Sequence, residues 1–284
     1  MKNRKTELTV HNIGVMQGRL VPQEDERIQS FPRRKWRDEF SLIVKTGLGL
    51  IEWTLDYDGL YENPLMTQDG RDEINRLSSA FGVSVSSVTC DCFMQAPFWK
   101  CKDNNNQKKI IDDFMNVMEA ASDLDIETVV LPLVDGGAIE TSEEALFLIS
   151  FFNKNQPLIK NLNLKVAFEI DLAPAPVKHF IESLPQKNFG VNYDCGNSAS
   201  LGFDIQEEFF EYGNYVINCH IKDRVFRGET VPLGSGNVCF LTLFSTLEKF
   251  DYQGNLVLQA ARGKSGQEVK TIQRYNRFVC NFFR

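Results

Sequence analysis

The chain has 284 residues, of which 24% are charged and 43% hydrophobic, and its formal net charge is −7. That length supports one large core, and the composition is that of a globular protein rather than a disordered one. A net negative charge disfavours a nucleic-acid backbone as partner, and the longest clean apolar run, residues 145–152, is far too short to cross a bilayer.

Residues 1–10 are polar and charged without an apolar segment, so they are expected to be a tail rather than a secretory signal, with a cytoplasmic location. Residues 11–284 are expected to form a single domain. Strand-like runs lie at 13–17, 48–55, 83–90, 128–133, 164–170, 189–193, 215–221 and 255–260. A segment of helical periodicity follows each: 34–46, 71–81, 107–124, 143–161, 176–184, 205–212, 238–250 and 267–283. Eight unbroken strand–helix units predict the α/β class and a (β/α)8 TIM barrel. An open doubly wound sheet competes, but Gly18 stands alone where a G-x-G-x-x-G would follow the first strand. Thr141 and the acids Glu143 and Glu144 suit a helix start, Gly49 and Gly82 suit helix ends, and Pro157 predicts a kink or break in the fourth helix. The long irregular stretches 20–32 and 91–106 follow strands, which places them on the face where barrels bind substrate. Seven cysteines, an odd number, lack metal-ligand spacing, and Cys90 and Cys92 form a C-x-C rather than a C-x-x-C pair, so reduced thiols are expected.

Four apolar runs in the second half end in polar residues: Glu169, Asp194, His220 and Gln259. A strand buried on both faces whose last residue is polar would turn that residue into a shared site at the barrel mouth. Alternation with period two then aims Asp171, Asn192 and Lys222 inward with Glu169, Asp194 and His220 respectively. Gln17 and Arg19 are inward candidates at the end of the first strand. Glu169, Asp194 and His220 suit a hard divalent cation, whereas Gln259 is a neutral amide. His11 and His179 read as structural or exposed.

Val166-Ala167-Phe168-Glu169, Asp194-Cys195-Gly196-Asn197, His220-Ile221-Lys222-Asp223 and the run from Pro232 to Val238 resemble the sugar (phosphate) isomerase/epimerase family with the xylose-isomerase-like TIM barrel. The resemblance includes Gly14 to Leu20 and Gly49 to Trp53, so it runs nearly end to end, and H-I-K-D is its most specific element. It implies one divalent ion (Mn2+, Mg2+, Co2+ or Zn2+) held by Glu169, Asp194, His220 and a glutamate on the eighth strand, whose place Gln259 takes. It implies a sugar or sugar phosphate as substrate, an enediolate intermediate, and Glu169 as both ligand and general base. Asn197 stands where many members have a substrate-binding histidine.

An amide cannot abstract a proton, so Gln259 is hard to reconcile with two opposed carboxylate bases and favours an isomerase slightly over an epimerase. Glu52, Asp91 or a Lys222 of lowered pKa would restore a second proton-transfer group. The basic residues Lys222, Arg224, Arg227, Arg262 and Lys264 follow the last two barrel strands. With Gly234-Ser235-Gly236 they are candidates to hold a phosphate or carboxylate. Arg19, Glu52, Asn197, Arg224 and Arg262 are accordingly the expected substrate-binding residues. Phe93, Phe98 and Trp99 read as a hydrophobic lid over a sugar ring or a dimer contact, and a homodimer stays open. A metal-dependent hydrolase or lyase on the same barrel and a non-catalytic sugar-binding barrel are the alternatives. Three histidines are too few for the family's multi-zinc DNA-repair endonucleases.

Overall fold

Strands of this chain can be buried on both faces only if helices cover them and no edge is left open. The structure, a computed structural model that describes residues 13–24 and 29–283, meets that condition as a closed parallel barrel. Its strands are β1 (Ile13–Met16), β2 (Leu50–Thr54), β3 (Ser84–Thr89), β4 (Thr128–Leu133), β5 (Lys165–Ile170), β6 (Phe189–Asp194), β7 (Val216–Ile221) and β10 (Asn255–Leu258). β1 closes the barrel against β10 and β2. An antiparallel hairpin of β8 (Asp223–Arg224) and β9 (Thr230–Val231) is inserted after β7. The expected tail and His11 lie outside the described residues.

The expected helices are present as α1 (Trp36–Val44), α2 (Gln68–Phe81), α4 (Asn104–Asp123), α5 (Ser142–Asn161), α6 (Pro174–Glu182), α8 (Ile205–Tyr212), α9 (Phe240–Lys249) and α10 (Glu268–Cys280). Two short helices, α3 (Asp91–Gln95) and α7 (Cys195–Leu201), fill segments where only loop was expected. Asp194 starts α7 by accepting the amides of Gly196 and Asn197 at 2.9 and 2.8 Å. Thr141 and Glu144 form a capping box on α5. Pro157 does not break that helix. Proline forfeits one backbone bond, and burial of Leu148, Phe152 and Ile159 holds the helix together across it. Gly82 takes the left-handed turn after α2 (φ 66°), but after α1 that role falls to Gly47 (φ 79°) rather than Gly49.

The core has two compartments. The larger one packs the barrel's outer surface against the helices, and a small cluster of Met16, Leu50 and Val257 lies apart from it. Register pairs Val257 with His220 and Met16 with Glu52, so this small cluster sits inside the barrel beside the deeper polar residues.

Phe93, Phe98 and Trp99 form neither lid nor dimer contact. They are buried, because α3 turns the segment down under α4 and α5. Phe98 packs at 4.9 Å from Phe151, 5.1 Å from Trp99 and 5.6 Å from Phe114 between ring centroids, and Trp99 Nε1 donates to the Gly137 carbonyl at 3.1 Å. Phe98→Ala is expected to cost about 3–5 kcal/mol of folding stability. A urea titration showing a loss below about 1 kcal/mol would mean that this ring is not a core member.

Candidate active site

Four consecutive strands, β5, β6, β7 and β10, deliver the polar residues to one place at the C-terminal end of the barrel. Donor atoms of Glu169, Asp194 and His220 all lie within 4.8 Å of one another. His220 Nδ1 is 3.1 Å from Glu169 Oε2 and 3.9 Å from Asp194 Oδ2. Asn192 Nδ2 lies 2.8 Å from Glu169 Oε2 and 3.1 Å from His220 Nδ1, so it bridges the two. Asn197 Nδ2 donates to Glu169 Oε1 at 2.8 Å, and its carbonyl oxygen accepts from Arg224 Nη1 at 2.9 Å. Asn197 and Arg224 thus belong to the same network as the candidate base.

Glu52, expected among the substrate-facing residues, lies one layer deeper. It has no exposed surface, and its two oxygens take hydrogen bonds from Ser87 Oγ (2.7 Å), Thr89 Oγ1 (2.6 Å), Asn218 Nδ2 (3.0 Å) and His220 Nε2 (2.7 Å). A carboxylate cannot donate, so Nε2 must carry the hydrogen and the Nδ1 side of the ring is left for the cluster. Burial works against both charges, yet each partner outweighs it for the other: Glu52 is held below the ordinary carboxylate range and His220 is lifted to about 10. Asn192 and Asn218 complete this buried layer, with Asn218 Nδ2 donating to Asn192 Oδ1 at 2.8 Å. The sequence signal for Asn218 was its place two residues before His220, on the same strand face.

Lys222 Nζ donates to Asp194 Oδ2 at 3.1 Å and to Gln259 Oε1 at 3.2 Å. Gln259 therefore meets the cluster through this ammonium. Burial opposes the charge on Lys222, but Asp194 and Glu169 overcome it and raise its pKa rather than lowering it as expected. Gly196 permits the approach, since a Cβ there would fall 2.7 Å from Lys222 Cγ. Burial, followed by Glu169 and a second acid, pushes both Asp91 and Asp171 up to about 7.

The glycine turn expected to bind an external anion is already filled. Asp223 accepts from the amides of Gly234 (2.9 Å), Gly236 (2.8 Å) and Val238 (3.1 Å). The anion held by Gly234-Ser235-Gly236 is thus the chain's own carboxylate. Arg227 is exposed at the hairpin tip, against Phe226. Arg19 is buried at the end of β1, and Arg262 Nη1 reaches across from beyond β10 to the Val21 carbonyl at 3.2 Å. His179 is exposed, as read, and all seven cysteines are free thiols.

Residues 40–275 match the family model described as "Xylose isomerase-like TIM barrel". The chain belongs to that family. Its curated relatives include a putative L-ribulose-5-phosphate 3-epimerase, SgbU, from Haemophilus influenzae, 23% identical over 265 residues that cover 86% of this chain and 90% of the relative. Solved xylose isomerase-like barrels that share the fold include D-psicose 3-epimerase from Clostridium cellulolyticum, crystallised with D-tagatose. It has a TM-score of 0.72 at 13% identity, covering 96% of this chain and 98% of that one. The IOLI protein, crystallised with a zinc atom, also has a TM-score of 0.72, at 14% identity over 95% and 99% of the two chains. Among the described residues no helix is long and apolar enough to cross a membrane.

Folded His220 keeps its proton up to about pH 10, whereas an unfolded histidine loses it near 6.5. Its contribution to stability is therefore complete below about pH 6.5 and is lost as pH rises toward 10. Asp91 and Asp171, raised to about 7, disfavour the fold as pH climbs from about 4 to 7. Urea midpoints measured with a chelator present are expected to fall steadily from pH 6 to pH 9.5; a rise across that interval would contradict the buried imidazolium.

Proposed function

We propose that this barrel is a divalent-metal-dependent epimerase or isomerase of a sugar or sugar phosphate, in which Glu169 removes the proton beside the carbonyl. The observation that carries this reading is the convergence of Glu169, Asp194 and His220 above the Glu52 carboxylate that orients the imidazole. The H. influenzae relative, a putative L-ribulose-5-phosphate 3-epimerase, supports the same substrate class.

The donor set fits a hard or borderline divalent cation: two carboxylates and an imidazole whose far nitrogen is tied to a carboxylate, the usual support for a ligating histidine. Glu169, Asp194 and His220 would hold it, with the Gln259 amide oxygen as the fourth candidate. When bound, such an ion polarises a carbonyl and its neighbouring hydroxyl and acidifies the C–H between them. Asn192 and Asn197 each hold one oxygen of Glu169, which fixes the carboxylate for proton abstraction. Gln259 has no titratable proton, but Lys222 beside it does. Held as an ammonium, Lys222 would deliver a proton from the end of β7, two strand positions round the barrel from β5. Delivery by Lys222 to the opposite face of the enediolate inverts the carbon; Glu169 then gives up the abstracted proton to solvent and the amine takes one back from it. Transfer by Glu169 alone on one face moves the carbonyl instead.

The Lys222 bridge between Asp194 and Gln259 also favours a second reading, a sugar-binding barrel without turnover in which the ammonium stands in for the cation. Elemental analysis and Mn2+ titration separate the two, since a barrel that cannot be loaded with metal fits only the second.

With Mn2+ supplied, the protein is expected to exchange a substrate C–H into D2O for at least one member of a panel of ketoses and their phosphates. Glu169→Gln should slow that exchange by roughly 10²–10⁴-fold. A panel without any exchange would defeat the proposed reaction.

Two further substitutions act on metal affinity directly. Glu52→Gln is expected to weaken Mn2+ binding by roughly 10–100-fold through loss of the oriented imidazole. Gln259→Glu should strengthen binding by restoring a third carboxylate. Calorimetric titration reads both effects, and unchanged affinity in both variants would remove His220 and Gln259 from the site.

A further inference from the structure

Parity on β6 sends Asn192 and Asp194 into the barrel and Tyr193 out toward the helices. There Tyr193 meets α8. Its ring packs edge-on against Phe209 at 5.0 Å between centroids, and its hydroxyl donates to Glu208 Oε2 at 2.8 Å. Glu208 Oε2 also accepts from Ser198 Oγ on α7, and Oε1 accepts from the Tyr212 hydroxyl at 2.7 Å. Tyr193, Ser198, Glu208 and Tyr212 are thus buried together in the helix layer, outside the cluster at the mouth. Burial pushes the Glu208 carboxyl up, and the three hydroxyls pull the other way. A carboxyl is a costly filler for such a layer, and its partners show what it is tied to.

The geometry of α7 gives that tie a use. The helix has only seven residues, Cys195–Leu201, and ends at Gly202 in the left-handed region (φ 81°). Helices this short are unstable on their own and depend on anchors from outside. Asp194 anchors the first turn through the amides of Gly196 and Asn197. Successive helical positions point about 100° apart. Asn197 faces the mouth, where it donates to Glu169 Oε1 at 2.8 Å, and Ser198 faces α8. Glu208 therefore grips Tyr193 and Ser198, the sequence neighbours of Asp194 and Asn197. It does so from a helix whose own start is capped, since Asp204 accepts the amides of Gln206 (2.9 Å) and Glu207 (3.0 Å).

We infer that Glu208 and Ser198 are positioning residues for the proposed base: through their hydrogen bond they set the place of α7, and so the distance from the Asn197 amide to Glu169. This rests on the sugar isomerase/epimerase reading, which gives Glu169 its proton to remove. With α7 shifted outward, Oε1 loses its donor and the carboxylate is free to turn. A misplacement of about 1 Å is enough to cost roughly 100-fold in rate.

Two variants separate this role from simple folding. Ser198→Ala cuts the tie to α7 and leaves Tyr193 and Tyr212 on the carboxylate. Tyr212→Phe removes a hydroxyl from the same carboxylate without touching α7. With Mn2+ supplied and the fastest-exchanging member of the ketose and ketose-phosphate panel as probe, Ser198→Ala is expected to lower kcat for exchange into D2O by roughly tenfold or more, with KM unchanged. Tyr212→Phe should lower the urea midpoint by a similar amount while keeping most of kcat. In an Asn197→Ala background, Ser198→Ala should slow exchange no further, because its effect runs through that amide. Losses of kcat that follow the loss of stability in both variants would make the cluster a matter of folding alone and overturn the inference. Losses that multiply in the double variant would also overturn it, as would an unchanged kcat in Ser198→Ala. Each of these leaves the proposed reaction standing. An unaltered protein that exchanges no sugar, by contrast, defeats the reaction and the positioning role with it.

Discussion

Carboxylates cannot be gathered inside a low-dielectric barrel unless cations stand among them. Glu52, Glu169 and Asp194 are at most 5% exposed, and the buried His220 and the half-buried Lys222 are the positive groups placed between them. The arrangement is layered. Glu52 and His220 form the lower pair, Asp194 and Lys222 the upper one, and Glu169 touches the imidazole between them. Removing either cation would leave an uncompensated buried charge, so the two pairs are as much a condition of the folded mouth as a device for chemistry.

That balance gives the amide at position 259 a physical meaning. Asp91 and Asp171 are already pushed up to about 7 by burial and by neighbouring acids. A further carboxylate would add to an excess that two cations barely answer. Gln259 instead offers a neutral acceptor to Lys222, which keeps its proton and can approach Asp194 closely. The amide thus leaves Lys222 as the proton-bearing group between Asp194 and position 259.

The H-I-K-D element divides its tasks by strand parity. His220 and Lys222 face the polar cluster, while Asp223 turns away and gathers three amides of the loop before α9. One motif of four residues therefore supplies a candidate metal ligand, a proton-bearing ammonium and the anchor of the next loop. Asp194 is similarly double-tasked: one oxygen caps α7 and the other faces Lys222, so the start of that helix fixes the carboxylate's orientation.

Period-two alternation, apolar runs and polar strand ends belong to the local sequence, and they determined the eight β/α units and the inward aim of Glu169, Asp194 and His220. The bounds 128–133 and 205–212 agree with β4 and α8 to the residue. Parity says which way a side chain points but not how deep it lies, because depth depends on how neighbouring strands are staggered. Glu52 sits on β2 where pairing with β3 shifts register, and only the closed barrel sets it beneath His220. The fate of Phe98, the capture of the glycine turn by Asp223 and the reach of Arg262 across to Val21 were likewise decided by tertiary structure. Each depends on groups distant in sequence whose proximity the barrel's closure creates, and no local pattern encodes that.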